Sequence, residues 1–118
     1  MTAAINLSAK LAQFSDHWSP RIVAEFNGHD IMVVRVKDEF VWHSHPDTDD
    51  FFLVLDGELE IELRDQTVVV GPGELFIVPK GVEHRPLARK GEVKLMIIEA
   101  KGTPNTGDPT TAAVKVAL

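Results

Sequence analysis

Apolar and polar residues alternate along most of this chain, with the period of β-structure. Leu59, Ile61 and Leu63 are interleaved with Glu58, Glu60, Glu62 and Arg64. Successive side chains of a strand point to opposite faces, so this segment predicts a half-buried strand with its charges in water. Comparable short runs occur at Arg21–Phe26, Ile31–Val36, Phe40–His45, Phe51–Leu55, Thr67–Val70, Glu74–Val78, His84–Ala88 and Val93–Glu99. Turn signals separate them: Asn27-Gly28, Lys37-Asp38-Glu39, the polar stretch Pro46–Asp49, Asp56-Gly57, Asp65-Gln66, Gly71-Pro72-Gly73 and Pro79-Lys80-Gly81. About nine short strands at near-regular spacing predict an all-β fold, a single antiparallel β-barrel or jelly roll. Helical spacing is confined to the start, where Ile5, Leu7, Leu11 and Phe14 predict a short helix before the break at Pro20. Lys101–Thr111 is rich in Gly, Pro, Asn and Thr and predicts irregular chain. Ala113–Leu118 carries Val114, Val116 and Leu118 on one face, which suits either a docked edge strand or a frayed tail. The expected organisation is one domain over residues 1–118, with a barrel core at about 21–100 and a tail at 101–118.

Composition removes several kinds of chemistry. A chain of 118 residues with 44% hydrophobic content suits one compact core. A net charge of −6 without a basic cluster argues against nucleic acid. The absence of cysteine excludes disulfides, thiol catalysis and sulfur-ligated metals, and the absence of tyrosine removes the phenol as acid or base. Met1–Phe14 lacks the basic and apolar regions of a signal peptide, and no apolar run approaches the length of a membrane span. The expectation is a soluble cytoplasmic protein with neither nucleic-acid nor membrane partner.

Against this background the histidines stand out. His43 and His45 flank Ser44, Asp50 lies just beyond, and His84 follows. Residues two apart on a strand share a face, so His43 and His45 present two imidazoles together. With His84 and Asp50 they offer three nitrogens and a carboxylate, a donor set for Zn²⁺, Mn²⁺, Fe²⁺ or Ni²⁺. Apolar runs on both sides, Phe40-Val41-Trp42 and Phe51–Leu55, argue against a pair of idle surface histidines.

The spacing of these residues resembles the double motif of the cupin superfamily. In its first half, His-x-His is followed by Asp50 after four residues and by Gly57 after six more. In its second half, Gly73, Pro79, Gly81 and His84 stand at the family spacing. The resemblance covers about Ile22 to Ala100, and Gly102–Asp108 looks like the tail of small bacterial cupins loosely labelled mannose-6-phosphate isomerase-like. It implies a conical barrel in which His43, His45, Asp50 and His84 are metal ligands. Three positions depart from the family pattern. Lys37 replaces a turn glycine, Ala88 replaces an asparagine, and Asp50 replaces the usual glutamate, whose side chain is longer by about 1.5 Å. Asp49 is the neighbouring carboxylate, but alternation turns it away from Phe52 and Val54.

Strand parity extends from the motif to the cavity. If the histidines point inward, so do Val41, Phe52, Val54 and Pro86, together with Met96 and Ile98 or, in the other parity, Leu95 and Ile97. Such a cavity is mostly apolar with one polar centre, the usual form of a small-molecule site. No arginine falls on these inward positions, which disfavours dicarboxylates and sugar phosphates. Glu83 is the one nearby carboxylate outside the donor set, and it points outward. Phe40 and Trp42 face outward in this scheme and predict a homodimer surface that covers them. His17, Trp18 and His29 lie outside both motifs and take no role. The expected function is a metal-binding cupin acting on a small organic molecule, by dioxygenase or isomerase chemistry. A non-enzymatic binding module with a structural metal is the alternative.

Overall fold

Two antiparallel strands that curl back on themselves form the frame of the molecule. The computed structural model describes residues 3–118. Helix α1 spans Leu7–Leu11, and the strands are β1 Arg21–Phe26, β2 His29–Glu39, β3 Asp50–Asp56, β4 Leu59–Leu63, β5 Thr67–Val70, β6 Leu75–Val78, β7 His84–Ala100 and β8 Val116–Ala117. β2 and β7 pair along most of their length, from His29 against Ala100 to Glu39 against Leu87. His84 and Glu99 lie on the same strand, and a straight strand would hold them about 50 Å apart at ~3.3 Å per residue. The whole molecule is only 45 Å in its longest dimension. The ribbon turns a corner where Lys37 alone opposes Arg89–Glu92, with Asp38 at φ 60° and Gly91 at φ 115°. Gly57 lies under this corner at φ 88°, where a Cβ would stand 2.8 Å from the Glu92 carbonyl oxygen.

The corner divides the ribbon between two layers. Beyond it, the C-terminal half of β7 pairs with β3, and β3 pairs with β6. Before it, the N-terminal half of β7 pairs with β4, and β4 pairs with β5. The core lies between the layers and is built from Met32, Val34 and Val36, Phe52 and Val54, Leu59 and Ile61, and Leu95 and Ile97. Each group sits at every second residue, so the two-residue period of the sequence is the period of burial. On the outer face, α1 covers Val33 and Val23 with Leu11, and Asn6 caps the helix by accepting a hydrogen bond from the Ala9 backbone nitrogen. The sheet is curled without closing into a continuous ring.

The expected all-β architecture is present, with three differences of detail. Lys37-Asp38-Glu39 is a bulged continuation of β2 and not a turn, and His84–Ala88 and Val93–Glu99 are two halves of one strand. Phe40–His45 is not a strand; His43 makes a lone bridge to His84 there. At the tail, the edge-strand alternative is the one observed, because β8 adds in parallel beside Arg21 and Ile22 of β1. Asn27-Gly28 makes the expected hairpin, both residues having positive φ. Among the described residues, no helix is long and apolar enough to cross a membrane.

Candidate metal centre and adjoining pocket

The segment carrying His43 and His45 is held to the start of β7 by scattered backbone hydrogen bonds. The Phe40 nitrogen donates to the Pro86 carbonyl, His43 and His84 exchange a pair of bonds, and the Gly81 nitrogen donates to the His45 carbonyl. From Phe40 to His43 is three residues, whereas Pro86 to His84 is two, so one residue is extra. That extra residue shifts the side-chain parity. Phe40, expected outside, turns inward beside His43 and stacks on Trp18 with ring centroids 4.6 Å apart. Val41, expected to line the cavity, is 51% exposed. Trp42 is half-buried within its own chain, with the Arg64 guanidinium 3.8 Å over its ring. The expected covered face of Phe40 and Trp42 is therefore absent from the exposed surface.

His43, His45, Asp50 and His84 are all buried, and one donor atom from each lies within 4.8 Å of the others. Asp50 opens β3, and its Oδ2 stands 3.0 Å from His84 Nε2 and 3.2 Å from His45 Nε2. The shorter reach of aspartate thus suffices to bring its oxygen into the group. Asp49 is exposed and accepts a hydrogen bond from the Lys80 backbone nitrogen. The Nδ1 atoms of His43 and His84 lie 2.9 and 3.0 Å from the carbonyl oxygens of Val41 and Val82. Each ring so oriented turns Nε2 toward the centre, the arrangement that fixes metal-binding imidazoles.

The donor set fits a cation. His84 faces an acceptor at both nitrogens, whereas a neutral imidazole has one N–H. His45 Nε2 lacks hydrogen-bond geometry toward Asp50 and is the one buried side-chain polar atom without a partner among the described residues. A divalent ion held by these atoms would resolve both defects. Burial holds the His43 pKa down to about 4, more than offsetting the carbonyl of Val41. For His45 burial is outweighed by Asp50 and Glu99, and its pKa is raised. Asp50 is held well below the usual carboxylate range, since its two histidine partners overcome the cost of burial.

A pocket of about 40 Å³ adjoins the group on the side of His43 and Asp50. Of the expected lining residues, Phe52 and Pro86 are there, and Val54 is fully buried in the core below. Met96 and Ile98 face the other way; Leu95 and Ile97 line the pocket, because register places Met96 beside Leu53 and Val33 on the outer face. Trp18 and Asn105 also line it, although both lie outside the two histidine motifs.

Glu99 is the functional candidate that motif reasoning misses. It is 3% exposed, lines the pocket, and places Oε2 4.0 Å from His45 Nε2. Its other oxygen takes a salt bridge from Lys115 at 3.2 Å, and Lys115 also reaches the Thr103 carbonyl. Burial and the charge of Asp50 push the Glu99 carboxyl up to about 7 against the pull of Lys115. The available signal was a lone carboxylate among Leu95, Met96, Ile97 and Ile98 at a buried parity. The tail that brings Lys115 also crosses the histidine segment. Gly107, at φ 76°, packs on the Ser44 carbonyl so closely that no Cβ could fit.

Known proteins give the same picture. The cupin domain family matches residues 30–100. An uncharacterised Bacillus subtilis protein, YdbB, is 32% identical over 82% of this chain and 87% of its own length. A cupin-2 domain protein of Shewanella frigidimarina, solved by crystallography, is 48% identical and superposes with a TM-score of 0.80, over 82% of this chain and 94% of that one. The 3-hydroxyanthranilate 3,4-dioxygenase of Xanthomonas euvesicatoria is 29% identical over 70% of this chain, which spans only 48% of that enzyme. With His43, His45, Asp50 and His84 gathered in one buried group and the family match running across both halves of the ribbon, the chain belongs to the cupin family.

Proposed function

We propose that this cupin holds a divalent metal through His43, His45, Asp50 and His84 and acts on a small organic molecule in the adjoining pocket. The observation that carries the reading is the unpartnered His45 Nε2 beside an Asp50 oxygen that two imidazole nitrogens share. A bound metal would supply Lewis-acid or redox chemistry. The chain's residues would supply the rest. Trp18, Phe40 and Phe52 form the apolar wall that excludes water, and the rigid carbonyl partners of His43 and His84 keep the donors aimed. Dioxygenase chemistry is supported by the likeness to 3-hydroxyanthranilate 3,4-dioxygenase, and isomerase chemistry suits the same donor set. A non-catalytic binding module with a structural metal is the second reading, favoured by the small volume of the pocket. Elemental analysis of tag-free protein, followed by O₂ uptake with Fe²⁺ and a panel of small hydroxylated aromatics, separates them. One metal per chain with turnover supports the first reading, metal without turnover the second, and the absence of bound metal overturns both.

The protein is proposed to work in the cytoplasm as a homodimer. Exposed Leu75 and Ile77 continue into Leu53, Phe51, Met96 and Ile98 across paired strands, an apolar row that a second copy can cover. This face replaces Phe40 and Trp42 as the proposed contact. Sedimentation of Ile77→Glu as a monomer beside a dimeric parent is the expected result, and a monomeric parent would sink the idea.

A further inference from the structure

The pocket wall is apolar except at His43, Asp50, Asn105 and Glu99. The first two belong to the donor set, and Asn105 spends its side-chain oxygen on the Ala113 backbone nitrogen. Glu99 is thus the pocket's free acceptor among the described residues. Its two oxygens are used differently. Oε1 is tied to Lys115, while Oε2, at the pocket surface, has no hydrogen-bond partner among the described residues and faces His45 Nε2 at 4.0 Å. That gap is too long for a hydrogen bond, so Oε2 is left to accept one from a ligand in the pocket it lines. Glu99 is also not one of the four mutually close donors. A buried carboxylate held this way by a lysine from the tail is costly unless it is used or fully paired.

We propose that Glu99 is the specificity-determining residue of the pocket. Resting on the proposed metal and small-molecule site, it accepts a hydrogen bond through Oε2 from a hydroxyl or N–H group of the ligand, while Lys115 fixes its orientation. The ligand class is therefore small, uncharged at its recognised end and a hydrogen-bond donor there, such as an enol, a phenol or a hydroxyl α to a carbonyl. A ligand that presents a carboxylate to this corner meets like charge and is rejected.

Acetohydroxamate and acetate serve as the probes. They are close in size and both bring oxygen to a divalent ion, but only the hydroxamate keeps a donor, its N–H, once its oxygens hold the metal. Cobalt-loaded protein at pH 8 is titrated with each probe, followed by the visible bands of Co²⁺, and cobalt content is measured separately. Glu99→Gln should lower the preference for acetohydroxamate over acetate by at least about tenfold, the size expected for a hydrogen bond to a charged group, with cobalt still at one per chain. The paired variant Glu99→Met with Lys115→Met removes both partners, keeps the volume, and should give the same loss if the single variant folds poorly. An unchanged preference with cobalt bound overturns the proposal, as does a parent that holds cobalt and binds neither probe. Loss of cobalt from Glu99→Gln to the level of His43→Ala also overturns it, since Glu99 would then be a ligand. A parent that takes up no cobalt instead brings down the metal reading on which it rests.

Discussion

The C-terminal half of β7 and the His43 segment both deliver groups to the same pocket, and they are built in opposite ways. Lys94–Ile98 is paired on two edges, by β2 and by β3, and Glu99 follows opposite Asp30 of β2. Its side chains alternate strictly between pocket and outer face, and Glu99 is aimed by the ladder. Phe40–His45 has one neighbour and an extra residue between its backbone bonds. There the aim of His43 comes from its own Nδ1 and the Val41 carbonyl two residues back, a device that His84 repeats with Val82 at the facing start of β7. Alternation is a property of a two-sided ladder, and where the ladder thins, local hydrogen bonds decide direction. Stability should therefore reside in the first region and metal chemistry in the second.

The sharpest way to break the contrast is to remove His43 and His45 together. Metal affinity should fall by more than about 100-fold, beyond the loss usual for a residue that merely orients a ligand, while the apo fold survives. Metal at one equivalent in the double alanine variant would refute the assignment. Leu95→Ala tests the other region and should cost roughly 2–5 kcal/mol in urea unfolding. Val41→Ala, on the exposed side of the loop, should stay within about 0.5 kcal/mol. Equal costs would erase the distinction.

Much of this contrast was readable from the residues and part was not. The strands whose burial follows a two-residue period were legible, as in Leu59, Ile61 and Leu63, and so was the spacing that gathers His43, His45, Asp50 and His84. Phe40 and Val41 were misplaced because a bulge carries no signature in an apolar run. Glu99 was passed over because its meaning depends on the corner at Lys37, which brings both ends of one strand to one place. Trp18 arrives from ahead of β1 and belongs to no motif, so only the fold puts it over Phe40.

Smaller effects sharpen the comparison further. Gly107→Ala should destabilise by about 1–3 kcal/mol, because it adds both positive-φ strain and a clash with the Ser44 carbonyl. A shift in metal affinity beside it would show that the tail steadies the histidine segment. The contribution of His43 to the stability of the metal-free protein should be lost as pH falls from about 6.5 toward about 4. In that window unfolded His43 takes a proton that burial denies it in the folded state. His45 and Glu99, both raised, oppose this trend, so the clean measure is the difference between parent and His43→Gln, and parallel curves would contradict it. Least of all, Asp49→Ala should leave metal affinity unchanged, whereas Asp50→Ala should weaken it. Identical titrations for the two would remove Asp50 from the donor set.

The corner between Lys37 and Arg89–Glu92 also bears on kinetics. By rolling the ribbon, it brings residues far apart in sequence together, and the entropy of closing such loops slows folding. An ion gripped by His43, His45, Asp50 and His84 would then act as a clasp on a finished roll. It would leave the folding rate nearly alone and lengthen the lifetime of the folded chain by slowing the first step of its unwinding.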